Sequence, residues 1–201
     1  MATDSNFNTF KELYRKVDIV ARIRYDAARR LRTHQKLSQW VITFLSLLLI
    51  LVPLLQALDV PLRHSENFLN AVSVFLAVLV LVYSLLIGME NYAGRAEKMQ
   101  NCGTELSYLT RELYPYRELD HEENAYKDFS LKYQIILEKH ENHEPIDFKQ
   151  FTLERKWKQY YQNKFHYAFA WLTINIQYYL NFWHYMVVTL STLVTIYYLF
   201  T

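Results

Sequence analysis

The chain has 201 residues, with 22 basic and 20 acidic side chains, a net charge of +2 and a mean hydropathy of −0.10. Acids follow bases along its polar part, so there is no basic footprint, and direct sequence-specific nucleic-acid binding is not expected. Three glycines, four prolines and no Asn-Gly or Asp-Gly hairpin signal argue against a barrel of alternating strands. A single cysteine, Cys102, excludes an intrachain disulfide.

The near-neutral hydropathy averages two unlike materials. Residues 40–58, 69–89 and 182–200 contain no Asp, Glu, Lys or Arg. As helices rising about 1.5 Å per residue, they would each reach roughly 28–32 Å, the thickness of a bilayer's hydrocarbon core. The expected fold class is an all-α integral membrane protein: an antiparallel transmembrane helix hairpin extended by long cytosolic helices, with a third, C-terminal transmembrane helix.

Residues 1–39 form the expected cytosolic N-terminal helix. Phe10, Leu13, Val17, Val20, Arg24, Ala27 and Leu31 recur at spacings of three and four, a coiled-coil seam with one arginine in it. A buried guanidinium needs a partner, and Glu97 or Glu105 is expected to supply it. Opposite the seam, Arg15, Arg22, Arg29 and Lys36 recur every seven residues. This stripe reads as a solvated face and orientation signal, or as a vestibule gathering anionic headgroups or an anionic nucleotide signal. Arg22, Arg24, Arg29 and Arg30 are the candidates for signal sensing or helix coupling. A cleavable signal peptide is not expected, because the first apolar run starts only at Trp40.

The hairpin occupies residues 40–89, with spans 40–58 and 69–89 and a loop at 59–68. Nine Lys/Arg precede Trp40 and only Arg63 lies in the loop, so the positive-inside rule puts the N-terminus in the cytosol and the loop outside. In a prokaryotic cell the bilayer concerned would be the inner (cytoplasmic) membrane. Trp40 and Tyr92 suit the headgroup level, and Pro53 should kink the first span. Ser46, Ser73, Ala77 and Ser84 are the candidate pore-lining residues, although such a weakly polar stripe is more often helix-packing glue than a pore lining. With no charged residue inside a span, a proton pump or coupled transporter is not expected. Two or three helices cannot enclose a water path alone, so any pore must be a homo-oligomer.

Residues 90–158 form a cytosolic helical region. Tyr92, Ala96, Met99, Gly103, Leu106, Thr110 and Leu113 repeat the seam rhythm, with small residues that permit close helix approach. Both membrane helices are thus expected to continue into the cytosol and to pair, within the chain or with a neighbouring subunit, until Pro115 ends the second. Tyr126, Phe129, Tyr133, Ile136 and His140 predict one more helix, with a turn at Asn142 to Pro145. Residues 159–181 crowd aromatics, and Lys164 is the only charge beyond Gln159, a composition suited to an interfacial helix. Residues 182–201 read as a third span, with Trp183 and Tyr185 at one end, Tyr197 and Tyr198 at the other, and Thr201 outside.

The chain offers little for catalysis. His140 and His143, beside Glu141 and Glu144, have a spacing that could face a metal, but a polar helix end is the plainer reading. His34, His64, His121, His166 and His184 are scattered without a carboxylate at a diagnostic spacing. HExxH, GxSxG and Walker A motifs are absent, and Cys102, beside a seam, reads as packed rather than nucleophilic. No catalytic residue, metal or cofactor is expected.

The pre-membrane Arg24-Tyr25 is followed by Ala28, Arg30, Leu31, Lys36, Leu37 and Ser38, and then by Ser46 in the first span. Asn91-Tyr92, Arg95-Ala96, Cys102, Leu106 and Leu109 follow the second span. From about Phe10 to Leu113 these residues resemble a SLATT domain, the small membrane effector of prokaryotic conflict systems. Tyr133, Ile136, Leu137 and the Asn142-His143 to Asp147 stretch resemble the subgroup encoded beside reverse transcriptases. The resemblance implies a pore-forming effector that breaches the cell's own membrane, triggered by a nucleotide signal or a defence partner. Its partners would be the lipid bilayer, further copies of itself, and a reverse transcriptase or nucleotide-signal-producing enzyme. The third span is not required by the two-helix family description. The alternative function is a non-conducting adaptor whose residues 90–158 hold a defence enzyme at the bilayer.

Overall fold

The computed structural model describes residues 9–60, 64–118, 123–155 and 163–200; Arg63 of the expected loop, His121, residues 159–162 of the aromatic stretch and Thr201 lie outside them. Every regular element among the described residues is helical. In chain order they are α1 (Thr9–Ala57), α2 (Glu66–Glu90), α3 (Tyr92–Leu113), a 3-10 turn (Tyr114–Glu118), α4 (Glu123–Lys139), α5 (Pro145–Arg155), α6 (Lys164–Leu180) and α7 (Trp183–Phe200). Both α1 and α2 contain an apolar stretch long enough to cross a membrane.

Helix ends follow local chemistry. α1 runs through Pro53 for 49 residues and stops in a Schellman arrangement. Asp59 adopts the left-handed conformation (φ 50°), the Asp59 amide donates to Gln56 O (3.1 Å) and the Val60 amide to Leu55 O (3.2 Å), so carbonyls orphaned by the helix end are satisfied. α2 ends at a second left-handed residue, Asn91 (φ 45°, ψ 45°), a residue type that tolerates this conformation. The second apolar helix does not run straight on as expected but is interrupted here, and α3 restarts at Tyr92. After Pro115 the chain forms α4, a turn, and then α5, which Pro145 opens at the first helical position.

Helical contacts divide the chain into two compact units, one from residues up to Leu31 with Ala93–Asn175, the other from Arg32–Tyr92 with Ile176 onward. In the first, the seams of α1 and α3 meet within the chain. Phe10, Leu13, Val17 and Ala21 pack with Cys102, Leu106, Leu109 and Leu113, and α4 adds Phe129 and Tyr133. Each such large apolar side chain contributes about 1.5–3 kcal/mol on burial. Gly103 lies in this seam because a Cβ there would sit 3.0 Å from the Tyr25 ring, and the Tyr25 hydroxyl is held by Ser107 Oγ at 3.2 Å.

In the second unit, α1, α2 and α7 share a thinner core. Leu48, Val52, Leu69 and Leu76 form one cluster, joined by Ile196, and Val41, Leu45 and Tyr185 form another. Gln56 Nε2 donates to Asn70 Oδ1 at 3.3 Å, a cross-helix bond of the kind that holds apolar helices in register. α2 buries only Leu69 and Leu76 of its 25 residues.

Candidate functional site

The first unit encloses a cluster of charges that its helices could have left in water. Arg24, on the α1 seam, is 2% exposed. It donates through Nη1 to the Glu141 carbonyl and through Nη2 to Asn142 Oδ1 at 3.2 Å, and Nη1 also lies 3.4 Å from Met99 Sδ. Its Nε has no hydrogen-bond partner. The partner is thus neither Glu97, which is exposed, nor Glu105, which accepts from Lys139 Nζ at 2.8 Å and faces His140 Nε2 at 3.2 Å. The turn between α4 and α5 reaches Arg24 with a backbone carbonyl and an amide, groups that satisfy a guanidinium without bringing a second buried charge.

Two turns on, Arg30 meets a carboxylate. Its Nε donates to Asp147 Oδ1 at 2.8 Å and its Nη2 to Oδ2 at 3.2 Å, a bidentate pair with side chains 6% and 3% exposed. Glu144 Oε1 is shared between Arg30 Nη2 at 3.1 Å and Arg95 Nη2 at 3.4 Å, and Arg95 also reaches Glu141 Oε1 at 3.2 Å. Asp147 serves its own helix as well, since its Oδ2 accepts the Glu144 amide at 3.1 Å, the capping-box back-bond that starts α5. The residue that caps the start of α5 is therefore also the one that grips α1.

Electrostatics keep this clasp charged. Burial alone would pull the Arg30 guanidinium down, but the hydrogen bond and charge of Asp147, aided by Glu144, outweigh it and hold Arg30 above its ordinary value. His143, beside the clasp, is pushed down by burial and then by the Arg24 charge, so the imidazole stays neutral. Hydrogen bonding to Lys139 is the largest cause holding Glu105 below the usual carboxylate range. Burial pushes the Cys102 thiol up, which makes the fully enclosed sulfur a packing group rather than a nucleophile.

The four sensing candidates therefore separate. Arg24 and Arg30 are buried in the clasp, whereas Arg22 and Arg29 are exposed on α1 and pair locally with Asp18 at 2.9 Å and with Asp26. Sequence spacing did not single out Asp147, Asn142 or Arg95 as their counterparts. Asp147 at the third position of a helix opened by Pro145 was the available signal. His140 is turned to Glu105 rather than to His143, and among the described residues no group of three or more His, Cys, Asp or Glu is placed to hold a metal.

The second unit contains two features of its own. His34, buried, is stacked between the Phe182 ring at 4.1 Å and the Tyr92 ring at 5.0 Å, with Nδ1 3.2 Å from the Tyr185 hydroxyl. Its partners lie far along the chain, so spacing alone left it unpaired. An apolar groove of 420 Å³ is lined by α1, α2 and α7, including Leu45, Phe68, Val72, Leu76, Val188 and Thr195. None of the candidate lining residues Ser46, Ser73, Ala77 and Ser84 borders it. Ser73 Oγ instead donates to Leu69 O in its own helix at 3.0 Å, Ser46 and Ser84 are half-buried, and Ala77 is exposed.

The description "SMODS and SLOG-associating 2TM effector domain family 5" (SLATT_5) matches residues 6–199, so the match includes α6 and α7 and extends well past the Phe10 to Leu113 core of the resemblance. No curated protein and no solved structure matches the chain. An all-helical chain with two helices apolar enough to cross a bilayer accords with a two-span effector. The chain belongs to the SMODS and SLOG-associating 2TM effector domain family 5 and is a membrane effector domain of that family.

Proposed function

We propose that the chain is the membrane effector of a prokaryotic antiviral, abortive-infection system, which oligomerises and permeabilises the inner membrane on a cytosolic trigger. The observation that carries this reading is the buried Arg30–Asp147 pair. It grips α1, one unbroken helix of 49 residues that also supplies the first apolar stretch. A force that opens the clasp is transmitted along a rigid helix into the membrane, and rigid elements with two discrete arrangements are what couple distant sites. The trigger must favour the released state by several kcal/mol to act as a switch. A reverse transcriptase or a nucleotide-signal-producing enzyme is the proposed source of that trigger. The N-terminus is cytosolic in this reading, and α7, uncharged and packed with α1 and α2 in the second unit, crosses as a third span.

Arg24 and Arg30 couple helices rather than meet a ligand, since both are buried against protein. Arg22 and Arg29 lie at the surface already paired with Asp18 and Asp26, so an anionic partner there would have to compete with those carboxylates. Depolarisation of living cells, followed with a voltage-sensitive dye as the chain is induced with its genomic neighbour under a defence-triggering challenge, tests the reading. Loss of potential before loss of viability is expected. An intact potential with the chain present in the membrane would contradict it, and capture of a partner enzyme under the same conditions would favour the non-conducting adaptor.

A further inference from the structure

α6 carries two apolar faces, and the chain covers only one. Around a helix advancing 100° per residue, Tyr167, Ala170, Ile174 and Tyr178 share one side, where Ile174 is buried and the others are half-buried. On the opposite side Phe165, Phe169, Leu172, Ile176, Tyr179 and Leu180 fall within an arc of about 100°. All six are exposed, Phe165 to 91%, Phe169 to 69% and Tyr179 to 67%. Between the two faces lie His166, Thr173 and Gln177 on one flank and Asn175 on the other.

Such a stripe does not stay in water, since a contiguous exposed apolar face of this length marks a lipid or protein contact. Two observations decide which. A helix seam that pairs with another copy in water is flanked by charged positions that set register and partner, whereas Lys164, at the start of the Asn175 flank, is the only charged residue in α6 and the other polar flank positions are amides, a hydroxyl and an imidazole. The helix is also continuous, across a two-residue turn at Asn181 and Phe182, with uncharged α7, which packs against the two apolar helices of the hairpin. Aromatic rings on the stripe and at Trp171 suit the headgroup level.

We propose that α6 is a membrane-surface helix, seated in the boundary between headgroups and acyl chains through its Phe165, Phe169, Leu172, Ile176, Tyr179 and Leu180 stripe. It lies in the bilayer plane with the stripe immersed about 5–10 Å and its polar flanks level with the headgroups. This inference rests on the chain's residence in the membrane and not on pore opening, so it holds for a conducting or a silent protein. With one face immersed in the boundary region, α6 makes the effector responsive to the lateral packing of the lipid.

The test uses the full chain in phosphatidylethanolamine/phosphatidylglycerol vesicles, with single spin labels at positions 169, 172, 174 and 176 in a Cys102→Ser background. Collision with oxygen several-fold higher at 169, 172 and 176 than at 174, with low collision by a water-soluble nickel reagent, is the expected result. High nickel collision at the three stripe positions would overturn the proposal in favour of solvent. Dipolar broadening there that disappears on dilution with unlabelled chain would overturn it in favour of a second copy. Because Cys102 is buried, a second measurement leaves it intact. The fluorescence difference between the chain and Trp171→Phe should be quenched more by phospholipids brominated high on the acyl chain than by those brominated near the methyl end. Absence of quenching by either would overturn the proposal.

Discussion

The two units of this chain are stabilised by different solvents. In the first, α1 and α3 meet along a full seam that buries Phe10, Val17, Leu106 and Leu113 almost completely, and the enclosed guanidiniums are met by specific polar groups, Arg30 by Asp147 and Arg24 by the Glu141 carbonyl and Asn142. In the second, α2 buries two residues of 25 and exposes Val74, Phe75, Val78, Leu81 and Leu85. A helix so bare would be insoluble, and in lipid it needs no further cover, because hydrocarbon is as apolar as leucine. Ser73 and Thr192 satisfy their hydroxyls within their own helices, each donating to a carbonyl four residues back. Side-chain complementarity therefore specifies the first unit, and the bilayer supplies most of what the second requires. A switch is better built in the first, where breaking one pair has a large effect.

The contrast can be broken at its strongest point by Asp147→Ala. It leaves the Arg30 guanidinium buried without its carboxylate and removes the α5 cap, and truncating one partner of a buried pair destabilises by about 3–5 kcal/mol. Proteolysis of the full chain in nanodiscs should then cut within 93–155 far faster while residues 66–90 stay protected; equal protection of both regions would deny the difference. Val78→Arg addresses the second unit. Val78 is more than half exposed mid-helix in α2, and a central arginine there opposes insertion by about 2.5–3.5 kcal/mol. The inserted fraction should fall in a translocation assay, whereas an exposed arginine on a water-facing helix would be silent.

Gly103→Leu sharpens the same point within the seam. The first added carbon already meets Tyr25 at 3.0 Å, and forcing more into a packed site costs about 1–3 kcal/mol, to be seen as faster amide exchange in α1 and α3. The smallest effect comes from pH. His143 is depressed below its ordinary value by burial and by Arg24, so the folded state binds fewer protons than the unfolded one as pH falls below about 6.5. Stability is thus fully present above that pH and declines toward the depressed value. Amide protection of residues 140–147 should weaken between neutral and mildly acidic pH, and His143→Gln should flatten that dependence.

Much of this was legible in the chain. Charge-free runs located the apolar helices, and the three-four spacing from Phe10 to Leu31 located the α1 face that is buried against α3. The small residue at Gly103 anticipated the close approach of Tyr25. Arg24 stood out as a guanidinium on an apolar face, but its partner did not, because a backbone carbonyl and an asparagine 118 positions away carry no charge pattern to match. The break at Asn91 was hidden for a similar reason, since one left-handed residue interrupts a helix without disturbing hydrophobic periodicity. His34 was invisible as a site because its ring partners are remote in sequence and apolar or phenolic.

The most direct trial of the clasp is membrane potential in cells that receive no trigger, read with a voltage-sensitive dye for three chains: the unaltered protein, Asp147→Asn, and the charge swap Arg30→Asp with Asp147→Arg. If the clasp holds the effector shut, Asp147→Asn depolarises untriggered cells and the swap moves the potential back toward that of the unaltered chain. If all three, present in the membrane at equal amounts, leave the potential intact, or if the swap depolarises as fully as the single change, the Arg30–Asp147 pair does not govern permeability.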